Sequence, residues 1–138
     1  MPDNCFPSSM VICSICLTRL RAATRFRSKS FCVSKSHFSS AVADGELAGC
    51  GGIKLHPDYG EVKRMYVRPS YRGRGLGKAM LDHLAGCARR QGLEVLRLET
   101  GIYQVEAIGL YERYGFQRRA PFSDYKVDPM SLYFEKAV

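Results

Sequence analysis

EVKRMYVRPSYRGRGLGKAMLDHLAGCARRQ, residues 61–91, reads as a strand, a glycine-rich turn and a helix. From Glu61 to Val67 the chain alternates and carries the β-formers Val62, Tyr66 and Val67, which predicts a strand. Pro69 has no N–H to donate and ends the ladder. Leu76, Met80, Leu84, Cys87 and Ala88 recur at helical spacing and give the following helix one apolar face. Between strand and helix sits Arg72-Gly73-Arg74-Gly75-Leu76-Gly77. Its glycines let the backbone approach a ligand closely and take up positive φ. N–H groups at the start of a helix favour an anion, and Arg72, Arg74 and Lys78 add cationic side chains. This combination asks for a phosphate, most of all a pyrophosphate.

The spacing narrows the kind of phosphate site. A Walker loop needs Ser or Thr after its lysine, but Ala79 follows Lys78. A Rossmann fingerprint needs Gly-x-Gly-x-x-Gly, whereas Gly73, Gly75 and Gly77 give Gly-x-Gly-x-Gly. The pattern that fits is Arg-x-x-Gly-x-Gly from Arg72 to Gly77, after a strand reading MYVRP. Further on, Ala107-Ile108-Gly109-Leu110-Tyr111-Glu112-Arg113-Tyr114-Gly115-Phe116 matches A-x-x-L-Y-x-x-x-G-F. The two motifs in this order, with a strand between them, resemble the GNAT acyltransferase superfamily. The resemblance covers residues 41–138, about seven tenths of the chain. LETG at 98–101, LYERYGF and the tail PFSDYKVDPMSLYFEK are similar to a bacterial-type subgroup of uncharacterised N-acetyltransferases.

The resemblance implies an α/β fold with a mixed central sheet flanked by helices. The strands Glu61 to Val67 and Val95 to Thr100 would start paired and then splay apart. A splay exposes backbone groups that are costly without partners. The pantetheine arm of acetyl-CoA would lie there, meeting the backbone of Met65, Tyr66 and Val67. The N–H groups of Arg72, Gly73, Arg74, Gly75, Leu76 and Gly77 would meet the pyrophosphate, with Lys78 as a side-chain contact. Gln104 stands where many members carry an asparagine that contacts CoA, but it is one methylene longer. Acetyl-CoA is thus the implied co-substrate, and the implied reaction is direct attack by an amine of a small molecule or peptide in a ternary complex.

Acetyl transfer to an amine raises two proton problems. Producing the neutral form of a lysine-like amine at pH 7 costs roughly 4–5 kcal/mol. The departing thiolate also benefits from a proton. A carboxylate serves the first need and a phenol the second. Glu61 precedes Arg72 by eleven residues, the spacing of the general-base glutamate in histone-acetylating members of the family. The bland alternative is a strand-end carboxylate paired with Lys63, and Glu99 on the adjacent strand is the other candidate base. Tyr111 matches the family tyrosine that faces the CoA sulfur; its alternative role is core packing. Tyr103, Asp124 and Tyr125 are candidates for an acceptor pocket. Cys50 and Cys87 read as small buried hydrophobes rather than nucleophiles.

Composition bounds the rest. The chain has 138 residues, enough for one domain, and 46% of them are hydrophobic. No apolar run is long enough to span a membrane. The net charge of +8 divides unevenly. Residues 1–40 hold six Lys/Arg and one acid, while residues 41–138 hold fifteen and twelve. The second part is only mildly basic, and its phosphate loop accounts for the excess, so nucleic acid is not the expected partner. The six cysteines are scattered, as in a cytoplasmic protein. Family members often dimerise, so a homodimer is the assembly to look for.

Two segments are therefore expected: an atypical basic Ser/Cys/Arg-rich stretch over residues 1–40 and an acetyltransferase core over 41–138. Four readings of the first stay open. They are a divergent folded start, a transit peptide, a zinc site from Cys13, Cys16, Cys32 and His37, and a shifted frame or misplaced start. The last ranks first because the sequence changes abruptly near residue 40. Two rivals to catalysis also stand. One is a CoA-binding module with a defective acceptor pocket; the other is a nucleic-acid-binding protein.

Downstream, Phe38 to Val42 predicts a strand and Asp44-Gly45 a hairpin turn. Glu46 to Leu55 is a strand softened by Gly49, Gly51 and Gly52, which mark a bulge or close approach. Gly92 stops the first helix. Gln104 to Tyr114 predicts a second helix, and Phe116 to Arg118 with Ser131 to Glu135 a final strand pair.

Overall fold

A computed structural model describes residues 27–33 and 35–138. The strands are β1 (Arg27–Val33), β2 (Ser36–Ala43), β3 (Glu46–Leu55), β4 (Gly60–Val67), β5 (Val95–Gly101), β6 (Gln117–Arg119) and β7 (Ser131–Ala137). They form one sheet in the order β1-β2-β3-β4-β5-β7-β6. The helices are α1 (Leu76–Arg90) and α2 (Val105–Tyr114). Every neighbouring pair is antiparallel except β4 and β5. Those two run parallel because α1 crosses between them.

The helical spacing seen in the sequence becomes the core. Leu81, Leu84, Ala85 and Ala88 of α1 are fully buried against Val62, Leu96 and Leu98 of the sheet. Tyr111 of α2 joins the same cluster, so both helices cover one face. Burying each leucine contributes about 1.5–3 kcal/mol. Asp44 and Gly45 both have positive φ, at 54° and 79°, as a tight hairpin turn requires.

β3 bulges beside its glycines, since Ala41 pairs with Gly49 and Val42 with Leu47, which leaves Ala48 as an extra residue; a second bulge lies opposite, on β4. Cys50 pairs with Tyr66 and Gly52 with Lys63, so Arg64 and Met65 together oppose Gly51. The extra residue is on β4, where Arg64 takes a φ of 55°. Gly51 accommodates it: a Cβ there would stand 2.6 Å from the Met65 sulfur. The β4–β5 pairing ends at Val62↔Leu98, two residues before Arg64. The strands then part, and the bulge is the local cause, since it bends and twists the strand that carries it.

β1 was not foreseen, and β2 is longer than the strand expected there. Both lie partly or wholly within residues 1–40, so the sheet draws on that segment. The zinc reading rests on Cys13 and Cys16, which lie outside the described residues. Among the described residues no helix is long and apolar enough to cross a membrane.

Candidate active site

The parted strands open into a cleft of about 740 Å³. β4 lines one wall with Met65, Tyr66 and Val67. The following loop and the start of α1 supply Arg72, Gly73, Gly75, Leu76, Gly77 and Lys78. α2 and the residue before it close the other side with Gln104, Leu110 and Tyr111. Of the residues the resemblance assigns to the cofactor, Arg74 lies outside this lining, and the candidate base Glu61 lies apart from it too. Arg74 turns away to Asp44, at 3.2 Å, and over the Tyr71 ring.

At the phosphate end, Gly75 is the cap of α1 and sits in the left-handed region with a φ of 80°. It has no side chain to satisfy the first turn, so no side-chain cap competes with a ligand for the leading amides. Gly77 lets α2 pack close: a Cβ there would come 2.8 Å from the end of the Leu110 side chain, which would have to shift. The cations are held by carboxylates. Arg72 donates to Val67 O at 2.9 Å and to Glu106 at 2.6 Å, and Lys78 donates to Asp82 at 3.0 Å. All these partners are well exposed, and such pairs contribute little to stability, so a phosphate can displace them at small cost. The donor set, the glycine turn and the unpaired edge of β4 fit a pyrophosphate on an extended arm.

Tyr111 sits at the inner end. It is 6% exposed and packs edge-on against Phe116. Burial pushes its phenol up to about 12. Among the described residues its hydroxyl has no hydrogen-bond partner, although it lines the cleft. Buried hydroxyls are seldom left this way. The arrangement leaves a phenol that stays protonated at neutral pH and has its proton free to give.

Glu61 occupies the opposite face. Val62 points under α1, so its neighbour Glu61 points away. Glu61 is 2% exposed and saturated with donors. Tyr125 donates at 2.7 Å, His56 Nε2 at 2.9 Å, and Lys63 Nζ lies 3.1 Å away. Lys63 also donates to the Tyr125 hydroxyl at 3.1 Å. Burial alone would raise the Glu61 carboxyl, but the bonds from Tyr125, His56 and Lys63 outweigh it and hold it below the ordinary range. The Lys63 pairing anticipated in the sequence is therefore present, together with two partners that reading did not assign to Glu61. Stacked under His56 is Tyr59, at 4.3 Å, part of an aromatic cluster with Phe122 and Tyr133.

The other candidates separate from this cluster. Glu99 accepts from Ser131 at 2.6 Å. Tyr103 stands 77% exposed at the turn before α2. Cys87 is buried in the core and Cys50 is half-buried; neither is in a disulfide among the described residues.

Comparison with known proteins places the geometry. Residues 13–116 match the acetyltransferase (GNAT) family. The chain is 46% identical to an IAA acetyltransferase of Azospirillum brasilense over 101 residues, which covers 72% of this chain and 66% of that protein. It is 42% identical to the uncharacterised N-acetyltransferase YsnE of Bacillus subtilis over 72% of this chain and 68% of that protein. The matched part thus spans about two thirds of the length of these relatives. A Klebsiella pneumoniae structure described as an acyl-CoA N-acyltransferase aligns with a TM-score of 0.72 and 42% identity, over 75% of this chain and 72% of that one. The PaiA N-acetyltransferase of Thermoplasma acidophilum, solved in complex with coenzyme A, shares the fold with a TM-score of 0.67 at 23% identity, over 75% and 62% of the two chains. With the splayed strands, the glycine turn and the second-helix tyrosine in place, the chain belongs to the acetyltransferase (GNAT) family.

Proposed function

We propose that this protein is an N-acetyltransferase that carries an acetyl group from acetyl-CoA to an amine of a small molecule or peptide. The observation that carries this reading is Tyr111: a buried phenol, without a hydrogen-bond partner among the described residues, inside a cleft that ends on an uncapped, glycine-led helix. Acetyl-CoA supplies the activated acyl group as a thioester. The backbone of Met65, Tyr66 and Val67 holds the extended arm, since this edge of β4 has no strand beside it past Val62. The amides from Arg72 to Gly77 hold the pyrophosphate, helped by the helix dipole and by Lys78. Gln104, just before α2, lines the same cleft and offers its amide to the arm. Tyr111 gives its proton to the leaving sulfur. Glu61 takes the proton of the amine, held ionised by Tyr125, His56 and Lys63. Attack is direct, and neither Cys50 nor Cys87 enters it.

Cys50 and Cys87, thiols outside any disulfide among the described residues, suit work in the cytoplasm. The reading is tested by the melting temperature of the full-length chain with acetyl-CoA at about 100 times its Kd. Binding to the native state then adds roughly 2.7 kcal/mol, and Tm rises by several degrees. A cooperative melt with no shift would sink the donor site.

A further inference from the structure

The sheet face away from the helices carries an unmatched cation beside the split. Ala41 packs in the cluster with Met80 of α1, so Phe38, three residues earlier on β2, points to the other face. Phe38 pairs with Gly52, and Gly52 with Lys63. Opposed residues share a face, so Phe38 and Lys63 stand on the same side as Glu61. The Phe38 ring lies on Gly52, where a Cβ would come 2.8 Å from it. It remains 38% exposed.

Arg64 reaches over this ring, with its guanidinium carbon 5.8 Å from the centroid. The backbone puts it there. Arg64 is the extra residue of the β4 bulge, and a bulge re-aims the side chain it carries. Its φ of 55° is one that a non-glycine residue seldom adopts, and such conformations cluster at functional sites. Arg64 has no carboxylate partner among the described residues. The acids of β4 and β5 on this face are engaged elsewhere: Glu61 by Tyr125, His56 and Lys63, and Glu99 by Ser131. A ring neighbour does not consume the charge as a carboxylate would.

The place matters for the chemistry. The pyrophosphate is assigned to the loop past Val67, and the arm to Val67 back to Met65. The acyl end then lies toward Arg64, the next residue back. An amine that attacks from the face opposite the helices meets Arg64 and Phe38 there.

We propose that Arg64 and Phe38 form an acceptor subsite for a carboxylate, so that the preferred substrates are amino-acid-like amines with an apolar body. This rests on the donor reading above and adds the acceptor class to it. The guanidinium fork suits the two oxygens of a carboxylate. The exposed ring supplies a floor for the apolar body.

CoA release by the full-length protein tests the assignment. The acceptors are the common L-amino acids, their α-amides, 2-phenylethylamine and spermidine. A neighbouring carboxylate makes an amine harder to deprotonate, so a preference for the free acid over its amide must come from recognition. At least one apolar amino acid is expected to exceed its amide in kcat/KM by about ten- to a hundredfold, the range of a charged hydrogen bond. Arg64→Asn is expected to erase that difference by raising KM for the acid, with the amide unchanged. Asparagine tolerates positive φ, so Tm should hold or rise, which guards against a folding defect as the cause. Arg64→Lys keeps the charge without the fork and should retain part of the preference. The proposal is overturned if the wild type accepts no amino acid, or favours the amides or spermidine. It is also overturned if Arg64→Asn keeps the preference, or loses acid and amide equally. A wild-type Tm that does not respond to acetyl-CoA would bring down the donor reading, and this subsite with it.

Discussion

Tyr111→Phe is expected to lower acetyl transfer by about 10²–10⁴-fold and to leave the Kd for acetyl-CoA unchanged. The change removes one oxygen and keeps the ring. That ring packs against Phe116 and Phe134 in the core, and the phenylalanine keeps both contacts. The lost oxygen has no hydrogen-bond partner among the described residues, so its removal leaves no donor or acceptor stranded. Folding stability should hold or rise, by up to about 1 kcal/mol, because an unsatisfied buried hydroxyl is a burden on the native state. Burial has pushed the phenol up to about 12, so the wild type carries its proton across the whole neutral range. Stability and activity are thus predicted to move in opposite directions, the mark of a group kept for chemistry at the expense of packing. Urea melts, calorimetry with acetyl-CoA and CoA release with an accepted amine separate the three quantities. Unchanged turnover would reduce Tyr111 to a packing residue. Loss of CoA affinity would make it a binding residue. A wild type that binds acetyl-CoA yet transfers it to no amine would favour the non-catalytic module.

Much of this architecture was legible because it is local. The alternation from Glu61 to Val67, the helical spacing from Leu76 to Ala88 and the glycines between them are all written within one stretch. The Asp44-Gly45 turn is equally local, and both residues take the positive φ it needs. What escaped depends on pairing. The bulge of β3 was visible as glycines, and Ala48 beside Gly49 is its extra residue, but the second bulge, at Arg64 of β4, is fixed only when β3 meets β4. The strand β1 was hidden because Arg27, Ser28, Lys29 and Ser30 give it little apolar alternation. The same holds for the site. Arg72 and Arg74 looked alike in the loop, yet one lines the cleft and the other leaves for Asp44. Tyr125 was a candidate for the acceptor side, but its bond to Glu61 joins residues 64 apart in the chain, beyond any spacing rule.

Glu61→Gln separates anchoring from catalysis on the other face of the sheet. The carboxylate accepts from Tyr125 on one oxygen and from His56 on the other. An amide can accept on one side only; its NH₂ would face a donor on the other. One buried donor is then left unpaired, at a cost of about 1–3 kcal/mol. Lys63 also loses its counter-charge, although it is 40% exposed and water softens that loss. The cost depends on pH with a definite sign. Glu61 titrates lower in the folded protein than its ordinary value of 4.5, so its stabilisation is present above 4.5 and is lost as pH falls through the folded value. Lys63 is shifted the other way, above 10.5, since its bonds to Tyr125 and Glu61 outweigh burial; its contribution persists at neutral pH and is lost as pH rises through the folded value. The stability gap between wild type and Glu61→Gln should therefore be full at pH 7 and shrink in acid, which urea melts at the two pH values can follow. Glu61 does not line the cleft, so the Kd for acetyl-CoA should be unchanged. As the base, it would take acceptor kcat/KM down by about 10²–10⁴-fold. A variant that is destabilised at pH 7 yet acetylates at the wild-type rate would leave Glu61 as the peg that fastens the Tyr125 loop to β4, and the amine's proton would have to leave by another route.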